Sequence, residues 1–535
     1  MNVRPELAQH LQQRLRAFSE GFRHNLALIG PVGSGKTFQL QRLVMEPPPG
    51  LTMIYCPMYR ESPRTFLERF GCAILQAGAA TMLQRLGGQL PSLATVLPQA
   101  RQELPRTAAA VGVAATLLPR RLYAEALTRM LDAIPMLTEE CGRPSVLILD
   151  EFLLLEDLGF VHAFHELGKR VMTWPSTLFM LSSSSCFRAR NILRERLQLL
   201  FGQFELLTLE TLELQTATAW VQAELRGIKG ANSVTPFLMR WLGGYPWYLA
   251  VILNRLKERA AMARRPTPLD ALWSDAVWDV LGSPQGPLHQ WCSSRTEGLT
   301  RLRGGPRAFE VLLQVAEGAR TATAIGAAVG RAGVSTTLQL LLEQDLVQRN
   351  GMCWHVTDPL LRCWLSTLLG ARRSGAPVDE RQLRERLEAY LRGLWARWQQ
   401  SDQLSFAEQV VGLFGRFCED TILLDAKTGR LPKFDTIHTQ PADHSPSATY
   451  VVADSPGRRW CAAVQEGAVD ESAIAQFESF CRTQTPRPSR KVVVTNTELD
   501  PTTRVMAKAA SMWVWQADDI NLLMELYASD SQPAR

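Results

Sequence analysis

The stretch Gly30-Pro31-Val32-Gly33-Ser34-Gly35-Lys36-Thr37 (GPVGSGKT) follows NLALI and precedes FQLQRLV. The run before it is apolar and of strand length. The segment after it carries Phe38, Leu40, Leu43 and Val44 at helical spacing. In a strand, glycine turn and helix of this kind, backbone N–H groups can close around phosphate oxygens, and the positive helix end adds to the attraction. Gly30, Gly35, Lys36 and Thr37 stand at every fixed position of the eight-residue P-loop pattern. Residues 30–37 are therefore the expected ATP cradle. Lys36 is expected to reach the terminal phosphates, and the Thr37 hydroxyl to bind Mg2+.

A second segment supports this reading. SVLILDEF (145–152) is an apolar strand pattern ending in Asp150 and Glu151. Asp150 is placed to meet magnesium through water, and Glu151 to polarise an attacking water. The other account of the pair is an acidic helix start. After the apolar run STLFMLSS (176–183), Ser182 or Ser183 is the candidate phosphate sensor; a strand-to-helix cap explains either equally. The catalytic set is thus Lys36, Glu151 and Ser182, with Thr37 and Asp150 toward the metal. Arg188, Arg190, Arg194 and Arg196 are candidates for the positive charge facing the phosphates, none with a decisive position.

Strand patterns at 25–30, 51–58, 145–150, 176–183 and 204–209 alternate with helical patterns at 36–45, 63–78, 121–139 and 159–171. Such alternation predicts an α/β fold with a mostly parallel sheet covered on both faces. Segment 87–119 is less regular and reads as an insertion or a lid of short helices. From 186 to 264 helical periodicity prevails. The expected organisation is a P-loop ATPase core over 1–210, a helical lid and connector over 211–300, a winged helix-turn-helix over 301–368, a helical linker over 369–400 and a C-terminal nuclease-like α/β domain over 401–535.

The winged-helix expectation rests on RAFEVLLQVAEG (307–318), TATAIGAAVG (321–330) and VSTTLQLLLEQ (334–344), then two short strands around Asn350–Gly351. The third helix offers Ser335, Thr336, Thr337 and Gln339 to bases but no cation, so phosphate contacts fall to Arg320, Arg331 and Arg349. The footprint on double-stranded DNA is therefore modest, and packing against the ATPase or a protein partner is the alternative. In the last domain Glu408, Asp435 and Glu466 are the acids nearest a nuclease pattern. Val464-Gln465-Glu466 lacks the acid and lysine in register, so a catalytically degenerate module is expected. The basic strip PRPSRK (486–491) is a recruiting surface or simply solvated. His162 and His165 share a helix side without a nominated third ligand, so metal binding there is not expected. Trp241, Trp247, Trp273 and Trp278 sit among apolar residues and are expected to serve as core or domain contacts.

Bulk properties narrow the classes further. The chain has 535 residues, 46% hydrophobic, with 58 Lys and Arg against 52 Asp and Glu. A net charge of +6 is a weak bias toward polyanions. Ten scattered cysteines fit neither a zinc site nor a disulfide scaffold. With no secretory segment and no apolar stretch of about 20 residues, a cytoplasmic protein without a membrane span is expected.

GPVGSGKT, LILDEF, LFMLSSS, LGGYPWYL and the 307–349 unit, followed by HVTDPLLRCWL, together resemble the archaeal-type ATPase family. These are signal-transduction-like P-loop ATPases related to the initiator clade of AAA+ proteins. The resemblance covers residues 15–370, and 400–500 more loosely. It implies an ATPase module, a winged helix and a degenerate restriction-nuclease-like domain. It carries the Walker lysine, magnesium hydroxyl and acidic pair onto Lys36, Thr37, Asp150 and Glu151, and the polar sensor onto Ser182–Ser183. Its Gly-Gly-x-Pro segment falls on Gly243, Gly244 and Pro246, with the proline beside adenine; a core turn between Tyr245 and Trp247 is the other account. Where the family carries Gly-Arg before the strand matching FELL, this sequence has Gly202–Gln203. Glutamine brings no charge, which predicts slow turnover or a charge supplied by another residue or a partner. The expected function is an ATP-dependent switch regulating a DNA or protein interaction. An oligomeric DNA-remodelling or loading ATPase and a non-hydrolysing ATP-binding adaptor are the alternatives.

Overall fold

A computed structural model describes residues 3–79, 92–160, 162–195, 204–263, 267, 269–300, 304–369, 379–424, 427–442 and 445–527. The chain forms two compact units, Met1–Lys257 and Glu258–Arg535.

The first unit is built on β1 (Asn25–Ile29), β2 (Thr52–Pro57), β3 (Ser145–Asp150), β4 (Thr177–Ser183) and β5 (Phe204–Thr208), all parallel in the order β2-β3-β4-β1-β5. Helices α1 (Pro5–Ser19) and α2 (Lys36–Met45) cover one face. The other face carries α3 (Pro63–Gly78), α4 (Leu93–Glu103), α5 (Pro105–Leu117) and α6 (Tyr123–Cys141), together with a helix at Ala163–Thr173. The pleat sorts the central strands between the two cores. Val146, Ile148, Leu178 and Met180 pack toward α1 and α2, while Leu147, Leu149, Phe179 and Leu181 pack toward α3 to α6. Strands buried on both faces explain why SVLILD and TLFMLSS read as continuous apolar runs rather than alternating ones.

The segment 87–119, read as an insertion or a lid of short helices, lies outside the described residues up to 91 and is helical beyond. Within 93–117 it is two regular helices, and Leu93, Val96, Ala100, Ala108, Val111 and Ala114 are buried in the large core. Its small residues hid this, because an Ala- and Gly-rich interface shows a weak apolar stripe. Three further helices, at Leu214–Glu224, Ala231–Leu242 and Pro246–Met262, follow the sheet.

In the second unit, helices at Gly305–Ala316, Ala322–Val329 and Val334–Glu343 are followed by a hairpin of β6 (Gln348–Asn350) and β7 (Cys353–His355). The second and third helices meet at 112° across Gly330–Gly333, within the range of a helix-turn-helix. Among the described residues no single helix is long and apolar enough to cross a membrane. Beyond a long helix at Glu380–Asp402 and another at Phe406–Phe414 lies a small hairpin, β8 (Thr421–Leu424) with β9 (Lys427–Arg430). A mixed sheet follows in the order β10 (Thr436–Ala442), β11 (Ser445–Ser455), β12 (Arg458–Gln465), β13 (Arg490–Thr495) and β14 (Met512–Trp515). Its helices are Glu471–Thr483, Pro501–Ala509 and Ala517–Leu526.

The β6–β7 hairpin is built into the last domain. Met352 N donates to Thr421 O at 2.8 Å, Asn350 Nδ2 donates to Leu423 O, and Leu423 N returns a bond to Asn350 Oδ1. Cys353 belongs to that domain's core. Gly351 has φ +59°, and a Cβ there would stand 2.3 Å from Thr421 O. Gly351→Ala is expected to destabilise the second unit by about 1–3 kcal/mol, through backbone strain and loss of this docking, as read by urea denaturation.

His355 is buried, with Nδ1 unpartnered, and burial with Arg362 nearby lowers its pKa to about 4. Its folded pKa lies below the ordinary 6.5, so its neutral form stabilises the fold above about pH 6.5 and this is lost as pH falls toward 4. Thermal midpoints of wild type and His355→Phe between about pH 7.5 and 4.5 should show a shallower acid decline in the variant.

Candidate nucleotide site

β4 lies between β1 and β3, so the chain ends of all three open onto one crevice. Gly30 N donates to Ser183 O at 3.2 Å, and Phe152 N to Ser182 O at 3.0 Å. The loop from Gly30 to Thr37 and the acid pair are thereby held to the same strand.

The loop's glycines have separate reasons. A Cβ on Gly30 would stand 2.2 Å from Leu209 O, so no side chain fits between β1 and the segment after β5. Gly33 and Gly35 have φ of +78° and +96°. Gly35 caps α2 without any side-chain capping bond, which leaves the first N–H groups of that helix to a ligand or to solvent. Ser34 Oγ is fully buried with no hydrogen-bond partner. Loop curvature, the uncapped helix and an orphaned polar atom all fit a bound phosphate. Val32 and Gly33 form the turn, closed by Ser34 N donating to Pro31 O at 3.2 Å, and Thr37 is exposed on the first turn of α2.

Lys36 is 4% exposed, and its Nζ donates to Gly30 O at 2.7 Å and Pro31 O at 2.9 Å. The ammonium thus bridges the loop's own carbonyls. Asp150 is 3% exposed and accepts from Ser182 Oγ and from Tyr55 OH, the latter at 3.0 Å. Burial, then Asp150, raises the Tyr55 pKa, so its hydroxyl stays a donor. Ser182 Oγ also accepts from Glu151 N at 3.2 Å. Ser182 therefore positions the acid pair, and Ser183 Oγ is engaged with Ser185. Glu151 sits at φ +63°, and its carboxylate accepts from Ser184 N at 2.9 Å and from Ser184 Oγ.

Pro246 is buried at the start of its helix, and the next residue, Trp247, donates its N–H to Gly33 O at 3.2 Å. Leu212 N donates to Gly244 O, where a Cβ would stand 2.0 Å from Leu212 O. The GGYPW turn is thus brought against the phosphate loop. Arg4 reaches it as well, with Nε donating to Ser34 O at 3.2 Å and Nη2 to Glu210 O. Burial lowers the Arg4 pKa.

Tyr55, Ser184 and Arg4 escaped the sequence reading. Tyr55 is masked by an apolar strand, Ser184 by an undifferentiated serine run, and Arg4 has no local signal. Arg188 is tied to Glu156 and Asp157; Arg190 and Arg194 are exposed. Arg196 and Gly202–Gln203 lie outside the described residues. His162 and His165 are both exposed, and no group of three metal-ligating side chains occurs among the described residues. Trp241, Trp273 and Trp278 are buried.

In the second unit the acids of the nuclease pattern do not meet. Asp435 N bonds Asp454 O at one end of the sheet, whereas Glu466 follows Gln465 at the far end of β12. Eight residues of β12 separate the ends, roughly 23 Å. Glu408 closes a capping box with Ser405.

No family model matches the chain, and no curated protein does. Among solved structures it is similar to a Walker-type ATPase of Pyrococcus abyssi, at 15% identity and a TM-score of 0.48, covering 68% of this chain and 95% of that one. The Aeropyrum pernix ORC2 protein in ADPNP–ADP complexes gives 16% and 0.43, covering 70% and 96%. A RuvB mutant of Thermotoga maritima gives 12% and 0.31, covering 69% and 95%. At such identities the chemistry of the site has to be read from its own side chains.

Gly33→Ala should lower the stability of the first unit by about 1–2 kcal/mol, because the residue is left-handed and its Cβ would press on Trp247 Cβ at 3.1 Å. Chemical denaturation of the two proteins checks it.

Proposed function

We propose that this chain is an ATP- and Mg2+-dependent P-loop ATPase that acts as a switch on a DNA or protein interaction. The observation that carries the proposal is the uncapped start of α2 behind a left-handed glycine loop, beside the acid pair of β3. In this reading residues 30–37 hold the phosphates, Lys36 moves from the loop carbonyls to the terminal phosphates, and Thr37 with Asp150 holds the metal. The metal would screen phosphate charge. Pro246 lies along the base.

Glu151 orients water only after its carboxylate leaves Ser184. That constraint supports slow basal turnover and hence a switch more than a fast motor. Nucleotide and metal must favour one arrangement of the chain over another for any switching to follow.

A DNA-remodelling or loading ATPase acting as a homo-oligomer is the second reading, favoured by the 112° helix pair. Its exposed Ser335, Thr336 and Gln339 suit a winged helix-turn-helix facing bases. Of the expected phosphate contacts, Arg320 is otherwise engaged and Arg349 stays exposed. Arg320 donates to Leu526 O at 2.6 Å and stacks over Tyr527, and Arg349 lies over Trp354. The degenerate nuclease-like domain then serves as a scaffold.

Three variants test the proposal. Lys36→Ala should weaken fluorescent ATP binding on the order of 10- to 100-fold. Glu151→Gln should keep binding and lower phosphate release on the order of 100-fold or more. Ser184→Ala should keep binding and raise basal release several-fold. Tight binding with no release from wild type or Ser184→Ala would leave only the adaptor.

A further inference from the structure

The last domain gathers cations at one sheet end, where they outnumber the acids Asp435, Asp454 and Glu478, with Asp454 paired to Arg459 and Glu478 4.0 Å from Lys491. β10, β12, β13 and β14 all run the same way, so their starts share one rim with the end of β11. Arg458 and Arg459 open β12, and Arg490 and Lys491 open β13. Arg487 stands in the exposed loop between them and Lys508 in the last turn before β14. The opposite rim holds Glu466, Asp470, Glu498, Asp500 and Asp519. Helix ends explain part of this. Asp470 and Asp500 are N-caps, and Lys508 suits a helix C-terminus. The four strand-start cations and Arg487 have no such reason.

The basic rim is also rigid. Arg459 pairs with both oxygens of Asp454 and donates to Thr485 O at 2.7 Å, while Ser489 donates its N–H and hydroxyl to Arg459 O. The loop carrying Arg487 is thereby pinned to β12. Arg490 lies over the Trp513 ring, 4.2 Å from its centre. Arg458, Arg487 and Lys508 are exposed, with no acidic partner among the described residues.

We infer that this rim is a sequence-independent contact for the phosphate backbone of duplex DNA, in place of Arg320, which is engaged with Leu526 O and Tyr527. The inference rests on the DNA half of the function proposed above, not on nucleotide binding. β12 to β14 span about 10 Å, enough for more than one phosphate at about 3.4 Å of axis per strand. Beside the rim only Val505, one helical turn before Lys508, is an exposed large apolar side chain among 454–459, 482–491 and 501–512, and a single valine is little to insert into a lipid surface.

The test is fluorescence anisotropy of a labelled 30-base-pair duplex of arbitrary sequence against the full chain with ATP and magnesium, across a KCl series. Arg458→Glu/Arg487→Glu/Lys508→Glu should bind at least about 10-fold more weakly, with a log–log salt slope shallower by about two to three. Its thermal midpoint and ATP affinity should match wild type. Ser335→Ala/Thr336→Ala/Gln339→Ala should leave that slope unchanged. Wild-type affinity and slope in the charge-reversed protein would overturn the inference alone. Absence of duplex binding by wild type would overturn the DNA half of the proposed function and the inference with it, leaving ATP binding untouched. Capture by phosphatidylserine vesicles without duplex binding would also overturn it.

Discussion

Everything in the first unit follows from one insertion: β4 lies between β1 and β3. Hydrogen bonding to β4 on both sides brings the glycine loop of one strand and the acids of another to a common crevice, although over 100 positions separate them in sequence. It also sets the job of Ser182. That hydroxyl stands at the end of the intervening strand, donates to Asp150 and accepts from Glu151 N. A buried carboxylate without such donors would be costly; with Tyr55 and Ser182 it is held in one orientation.

The same packing governs the loop. Gly30 has no room for a side chain against Leu209, and Gly244 has none against Leu212. These two close approaches fasten the strand ends to the segment after β5, which in turn carries the chain toward Pro246. The phosphate loop is thus shaped by distant backbone as much as by its own glycines. That is why a P-loop pattern alone predicts curvature but not the posture of Lys36, which here is bent back onto the carbonyls of Gly30 and Pro31.

Legibility in the sequence tracks the physics of each signal. β1, β3 and β4 were visible because buried parallel strands concentrate Leu, Ile, Val and Phe, and α3 and α6 because their apolar stripes are wide. The short helices at 93–117 carry too weak a stripe to show that they belong to the main core, since Ala100, Ala108 and Ala114 pack closely without standing out as apolar. Motif spacing nominates Lys36, Asp150 and Glu151. Ser184 and Tyr55 escape it, because their roles arise only once strands are placed side by side. The hairpin at Asn350–Gly351 was read correctly as a turn, but its partner Thr421 lies some 70 positions away and left no trace in local pattern.

That docking changes what the second unit can offer a partner. The hairpin sealed by Thr421 and Leu423 holds Arg349 over Trp354 while leaving it exposed. Cys353 inside the last domain's core makes the three-helix segment and the mixed sheet parts of one packed body rather than beads on a linker. Charge on any part of that body then has a fixed place relative to the helix pair. Cations on a rigid rim lose less freedom on meeting a polyanion than cations on free loops. The pinning of the 484–489 loop by Arg459 therefore matters more than the number of basic residues. A net charge of +6 spread evenly would attract little, whereas cations that outnumber acids at one sheet end produce a local field.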